Sequence, residues 1–63
     1  MSANPIMRYF GYEHLPVELQ PVSRAVCDLA NVMDQLLLDG PEKSAGLRKL
    51  LEAKDCLVRA AIQ

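Results

Sequence analysis

Residues capable of recognition chemistry are concentrated in Tyr9-Phe10-Gly11-Tyr12-Glu13-His14-Leu15-Pro16, where all three aromatic residues and the only histidine fall within six consecutive positions. Tyr and Phe present flat faces on which a base or another ring stacks, Gly11 allows backbone geometry closed to other residues, and Pro16 favours an extended or turning residue before it. The plain alternative is a hydrophobic plug packed across a helix pair, since aromatic clusters are more often core than site. Catalysis finds little to hold. His14 beside Glu13 forms no dyad by adjacency, no Ser or Cys stands in a nucleophile context, and no phosphate loop or paired-acid pattern occurs.

The cysteines are equally spare. Cys27 and Cys56 belong to no CxxC pair and have no second histidine nearby, so no zinc ligand set exists. The chain opens without a charged n-region and long apolar h-region, so both read as small buried thiols outside an oxidising compartment. No apolar run approaches the length of a membrane span.

The elements that must position these residues are two helices. From Val22 to Leu38 the apolar residues Val22, Ala25, Val26, Leu29, Ala30, Met33, Leu36 and Leu37 recur with helical spacing, leaving Arg24, Asp28, Asn31, Asp34 and Gln35 on the polar surface. Pro16-Val17-Glu18-Leu19-Gln20 suits one helical turn, and Pro21 either starts the main helix afresh or kinks a continuous one. Asp39-Gly40-Pro41 predicts a glycine-capped end followed by a new start. A second apolar face, Leu47, Leu50, Leu51, Leu57, Val58, Ala61 and Ile62, follows, with Gly46 as a weak point.

The expected architecture is therefore all-α: an N-terminal tail over residues 1–8, then an antiparallel helical hairpin over 9–63 with helices about 16–38 and 41–62. A chain of 63 residues has too small a core to stand easily alone. A hairpin also buries only one side of each broad apolar face, so a compact homo-oligomer is expected.

Charge narrows the partner. The total is −1, but residues 1–42 carry two cations against six acids, net −4, and residues 43–63 five cations against two acids, net +3. That balance argues against long DNA or RNA, which calls for a clear basic excess, and leaves room for a small anion held by convergent cations. Lys54 falls within the apolar stripe of the second helix. Its stem either lies on apolar surface with the ammonium in water, or the cation faces phosphate at a subunit contact.

Phe10-Gly11-Tyr12-Glu13-His14-Leu15-Pro16, then Leu19-Gln20-Pro21-Val22-Ser23-Arg24 with Cys27-Asp28-Leu29-Ala30, then Leu47-Arg48-Lys49-Leu50-Leu51-Glu52-Ala53-Lys54-Asp55 with Val58-Arg59-Ala60, resemble the helical-hairpin domain of bacteriophage anti-CBASS sponges. CBASS is a bacterial defence that signals with cyclic oligonucleotides, and a related branch of the hairpin family counters the Thoeris defence. The resemblance spans roughly residues 9–61.

It implies a phage protein working in the host bacterial cytoplasm, which sequesters cyclic dinucleotides such as cyclic GMP-AMP and cyclic trinucleotides such as cyclic tri-AMP without cleaving them. No cofactor, metal or membrane is implied. Family members assemble as compact hexamers, with dinucleotide pockets between pairs of subunits and trinucleotide pockets near the threefold ends. Carried onto this chain, Tyr9 is expected to stack on the base, with Tyr12 as the substitute, and Arg24 to hold the phosphate, where the family typically has lysine. Arg59 is expected in the trinucleotide pocket, lined by Gly11, Tyr12 and Glu13. The alternative is a small helical adaptor that oligomerises and grips a host protein through its aromatic segment.

Overall fold

The computed structural model describes residues 5–62, and the segment Met1 to Asn4 of the expected tail, like Gln63, lies outside them. Pro5–Phe10 and Val17–Leu19 are short 3-10 helices; Gln20–Leu36 is helix α1 and Pro41–Ile62 helix α2. Every element among the described residues is helical, and α1 and α2 pack against each other. Helix α2, about 33 Å long at 1.5 Å per residue, sets the longest dimension of a molecule measuring 36 × 19 × 15 Å.

Residues 5–8, assigned to the tail by sequence, belong to the first 3-10 helix, whose three-residue turn brings Met7 and Phe10 to one side. Phe10 has no exposed surface and forms the buried centre with Ala30 of α1 and Leu47 of α2, while Ile6, Met7, Val26, Cys27, Met33, Leu50 and Leu51 pack around it. One aromatic of the cluster is thus the plug; the other two are not.

Pro21 starts α1 afresh instead of kinking it. Lacking an N–H, it cannot bond back to Val17, so the chain turns first as a 3-10 helix held by Leu19 N–H on Pro16 O at 2.9 Å and passes into α1 at Gln20.

The far end of α1 departs from the sequence reading. The helix stops at Leu36, Leu37 is extended, and no glycine adopts positive φ, so Gly40 is not a left-handed cap. Its carbonyl instead accepts Ser44 N–H at 3.0 Å and opens α2. The carbonyls at the end of α1 are served by Lys43, whose Nζ donates to Asp34 O at 2.9 Å and Leu37 O at 3.0 Å. The same Nζ also reaches Asp39 Oδ1 and Asp34 Oδ1, each at 2.8 Å, so the two carboxylates share its charge. Asp34, placed on the polar surface by sequence, is buried, as is Lys43. Unsatisfied carbonyls at a helix end need partners, and one ammonium here supplies two of them while tying α1 to α2.

Ser23 is fully buried on α1, and its hydroxyl has no hydrogen-bond partner among the described residues. An unpaired buried hydroxyl costs about 1 to 3 kcal/mol. Ser23→Ala is therefore expected to raise the Tm by several degrees, and thermal unfolding followed by circular dichroism checks it; a fall would mean that the hydroxyl has a partner in solution.

The apolar faces exceed the core. Leu29, Val32, Leu36, Leu37, Leu38, Leu57 and Ile62 are exposed, Leu38 at 93%. An apolar groove of about 280 Å³ runs between Leu29, Met33 and Leu37 of the α1 side and Leu47 and Leu50 of α2. Gly46 also lines it, and a Cβ there would meet nothing within 4 Å. Among the described residues no helix is long and apolar enough to cross a membrane.

Candidate functional site

The start of α1 carries an open groove of about 410 Å³, lined by Tyr12, Val17, Gln20, Pro21, Arg24, Ala25 and Asp28. Its size lies within the range of about 300 to 1,000 Å³ usual for small-molecule clefts. Local bonding fixes Tyr12 over the helix start. Leu15 N–H bonds Tyr12 O at 3.0 Å to close a turn, and Gln20 Nε2 donates to Leu15 O at 2.9 Å, tying that turn to the first residue of α1. Arg24 and Asp28 lie one helical turn apart on α1 and share the groove's edge, while Val17, Pro21 and Ala25 give it apolar surface. The arrangement offers a ring face, a guanidinium and a carboxylate to one ligand.

Two of the sequence-nominated residues, Tyr12 and Arg24, are thereby brought together within one chain. Tyr9 is not with them. It is 53% exposed on the first 3-10 helix, with the Arg8 guanidinium 5.0 Å from its ring centroid and Arg8 Nη2 donating to its hydroxyl at 3.0 Å. Arg8 went unnoticed in the sequence, although its place directly before Tyr9 was the available signal. This second ring-and-cation pair lines neither groove described here.

Gly11 precedes Tyr12 with ordinary backbone geometry; a Cβ there would sit 3.8 Å from Arg8 O and Glu13 Oε1, normal contact, so the special freedom expected of this glycine is not used. Glu13 is exposed, and its Oε1 accepts Tyr12 N–H at 3.4 Å. Arg59 is exposed near the end of α2 and donates to Cys56 Sγ at 3.3 Å. It joins neither groove. Lys54 follows the stripe position read from sequence, with its side chain only 12% exposed, but its Nζ lies 3.0 Å from Asp55 Oδ1 instead of standing alone in water.

Both cysteines are free. Cys56 is exposed, which corrects its reading as a buried thiol. Cys27 is half-buried, and burial first, then the nearby carboxylates of Asp28 and Glu13, push its thiol up from 9.0 against the opposing Asn31 hydrogen bond. At neutral pH it is a protonated thiol packed against the core. Among the described residues, no group of three His, Cys, Asp or Glu is placed to hold a metal ion.

No family model, curated protein or solved structure matches the chain.

Proposed function

We propose that this chain is a phage-encoded anti-CBASS sponge: a homo-oligomeric helical hairpin that binds cyclic di- and trinucleotides intact and withholds them from host effectors. The observation that carries the reading is the shared groove of Tyr12 and Arg24, which pairs a face for a base with a fork of donors for a phosphate. A cyclic dinucleotide has two bases and two phosphates related by an approximate twofold axis, so a symmetric pair of subunits offers each group twice and each subunit supplies one ring and one cation.

Self-assembly has its own support. The small buried centre and the apolar groove over Leu29, Met33, Leu37 and Leu50 leave surface that a second copy would cover. The opposite net charges of the two halves of the sequence favour like chains meeting, the acidic half of one against the basic half of another. The hexamer, and a trinucleotide pocket built around Arg59 with Gly11, Tyr12 and Glu13, belong to this proposal through the resemblance.

The test is a thermal-shift series with cyclic GMP-AMP, cyclic di-AMP, cyclic tri-AMP and linear dinucleotides, followed by recovery of ligand after heating. Ligand at 100 times its dissociation constant stabilises the folded state by about 2.7 kcal/mol per site, a shift of several degrees for a chain this small. Shifts with the cyclic species alone, and intact nucleotide recovered, are expected. Tyr12→Ala and Arg24→Ala are each expected to weaken cyclic-dinucleotide binding about tenfold or more, since stacking contributes about 1 to 3 kcal/mol per base. Loss on Tyr9→Ala instead would assign the stacking ring to a neighbouring subunit. Absence of any shift sinks the sponge and moves the weight to an adaptor that grips a host protein.

A further inference from the structure

The groove contains one group that phosphate binding leaves unexplained. Asp28 lines it with Tyr12 and Arg24, one turn after Arg24 on the same helix, which sets the two Cβ atoms about 5 to 6 Å apart. The ion pairs of the described residues do not include Arg24 with Asp28, and both side chains are exposed. The carboxylate is therefore not consumed by its neighbour. Beside a bound phosphate it repels, unless the same ligand also brings donors to meet it.

An ionised carboxylate accepts and never donates, and it is best matched by two parallel N–H groups. Among the nucleobases this singles out one edge. Guanine presents N1–H and N2–H side by side, adenine and cytosine each place a ring acceptor next to their amino group, and uracil flanks its single N–H with two carbonyls. Opposite charges one helical turn apart thus suit a ligand that carries an anion and a paired-donor edge on one frame.

We propose that Asp28 makes this groove a guanine reader: its carboxylate accepts from N1–H and N2–H of a base lying against Tyr12, while Arg24 takes the phosphate of the same nucleotide. The preferred ligands are then guanine-containing cyclic dinucleotides. This rests on the sponge reading and adds to it the identity of the base.

Calorimetric titration of the full chain with cyclic di-GMP, cyclic di-IMP and cyclic di-AMP, at one salt concentration, tests it. Inosine keeps N1–H and lacks the N2 amine. The wild-type chain is expected to bind cyclic di-GMP at least about tenfold more tightly than cyclic di-AMP, with cyclic di-IMP between them. Asp28→Asn, at an exposed helical position, is expected to erase that order while leaving cyclic di-AMP bound as well or better, because a negative charge beside the phosphate has gone. Asp28→Glu keeps the carboxylate and should keep part of the preference. Equal binding of all three rings, or a guanine preference that survives Asp28→Asn, overturns the guanine assignment and leaves the sponge standing. Failure of every ring to bind the wild-type chain overturns the guanine assignment together with the dinucleotide half of the sponge reading.

Discussion

Phe10→Ala is expected to leave the chain largely unfolded at 25 °C. Phe10 has no exposed surface and joins the first 3-10 helix to Ala30 of α1 and Leu47 of α2. Truncating a buried Phe to Ala costs about 3 to 5 kcal/mol, and a core in a chain of this length supplies about that much in total. Among the described residues the remaining buried apolar ones are Ala30 and Leu47, too little to hold three elements together. Far-UV circular dichroism with urea titration reads the result. Phe10→Leu keeps most of the volume and should fold with a lowered Tm, whereas Tyr12→Ala, which removes a groove residue, should keep its helicity. A Phe10→Ala chain that melts within a degree or two of wild type would mean that the stabilising contacts lie elsewhere.

The contrast between Phe10 and Tyr12 shows what the sequence could and could not say about the aromatic segment. Clustering marked the stretch as important, but two readings competed, core plug and ligand platform, and the structure divides them residue by residue. The 3-10 turn over Pro5–Phe10 sends Phe10 inward and leaves Tyr9 out beside Arg8. The turn closed by Leu15 N–H on Tyr12 O then lays Tyr12 near Arg24. Neither turn has a period that hydrophobic patterning detects, so only the type of each residue was legible, not its side. Helices behaved differently. The spacing in Val22 to Leu38 and in Leu47 to Ile62 found both α1 and α2, because a repeated apolar face is a direct consequence of helical geometry.

Charged residues were the other blind spot. Asp34 reads as surface because a lone Asp almost always is, yet it meets Lys43, nine residues further on across a turn, in the interior. Asp39, Gly40 and Pro41 predict a glycine-capped end, whereas α1 stops at Leu36 and its last carbonyls are served by a lysine four residues after Asp39. The same bias hid Asp28 as a groove residue. A spacing of i to i+4 between Arg24 and Asp28 was visible in the sequence, but that spacing alone reads as a solvated helix face.

The second large effect follows from that lysine. Asp34→Ala is expected to lower the Tm by at least about 10 °C, because removing one partner of a buried pair strands the other charge away from water. Here the stranded group would be the Lys43 ammonium, whose remaining contacts are two carbonyls at the end of α1 and the exposed Asp39. Asp39→Ala should matter far less, since that carboxylate is largely in water and surface pairs contribute little. The pH dependence has a definite sign. Hydrogen bonding to Asp34, then to Asp39, holds the Lys43 ammonium above its ordinary 10.5 against the opposing effect of burial. A cation whose folded pKa is raised stabilises the fold fully below the unfolded value and loses that contribution as pH climbs through the folded one. Between pH 6 and 9 this lysine should therefore add no slope to the Tm, and above about 10.5 the wild-type Tm should fall more steeply than that of a Lys43→Met chain, which has no ammonium to lose. Parallel Tm curves for the two chains from pH 9 to 11.5 would show that the α1–α2 junction is held by packing and not by this charge.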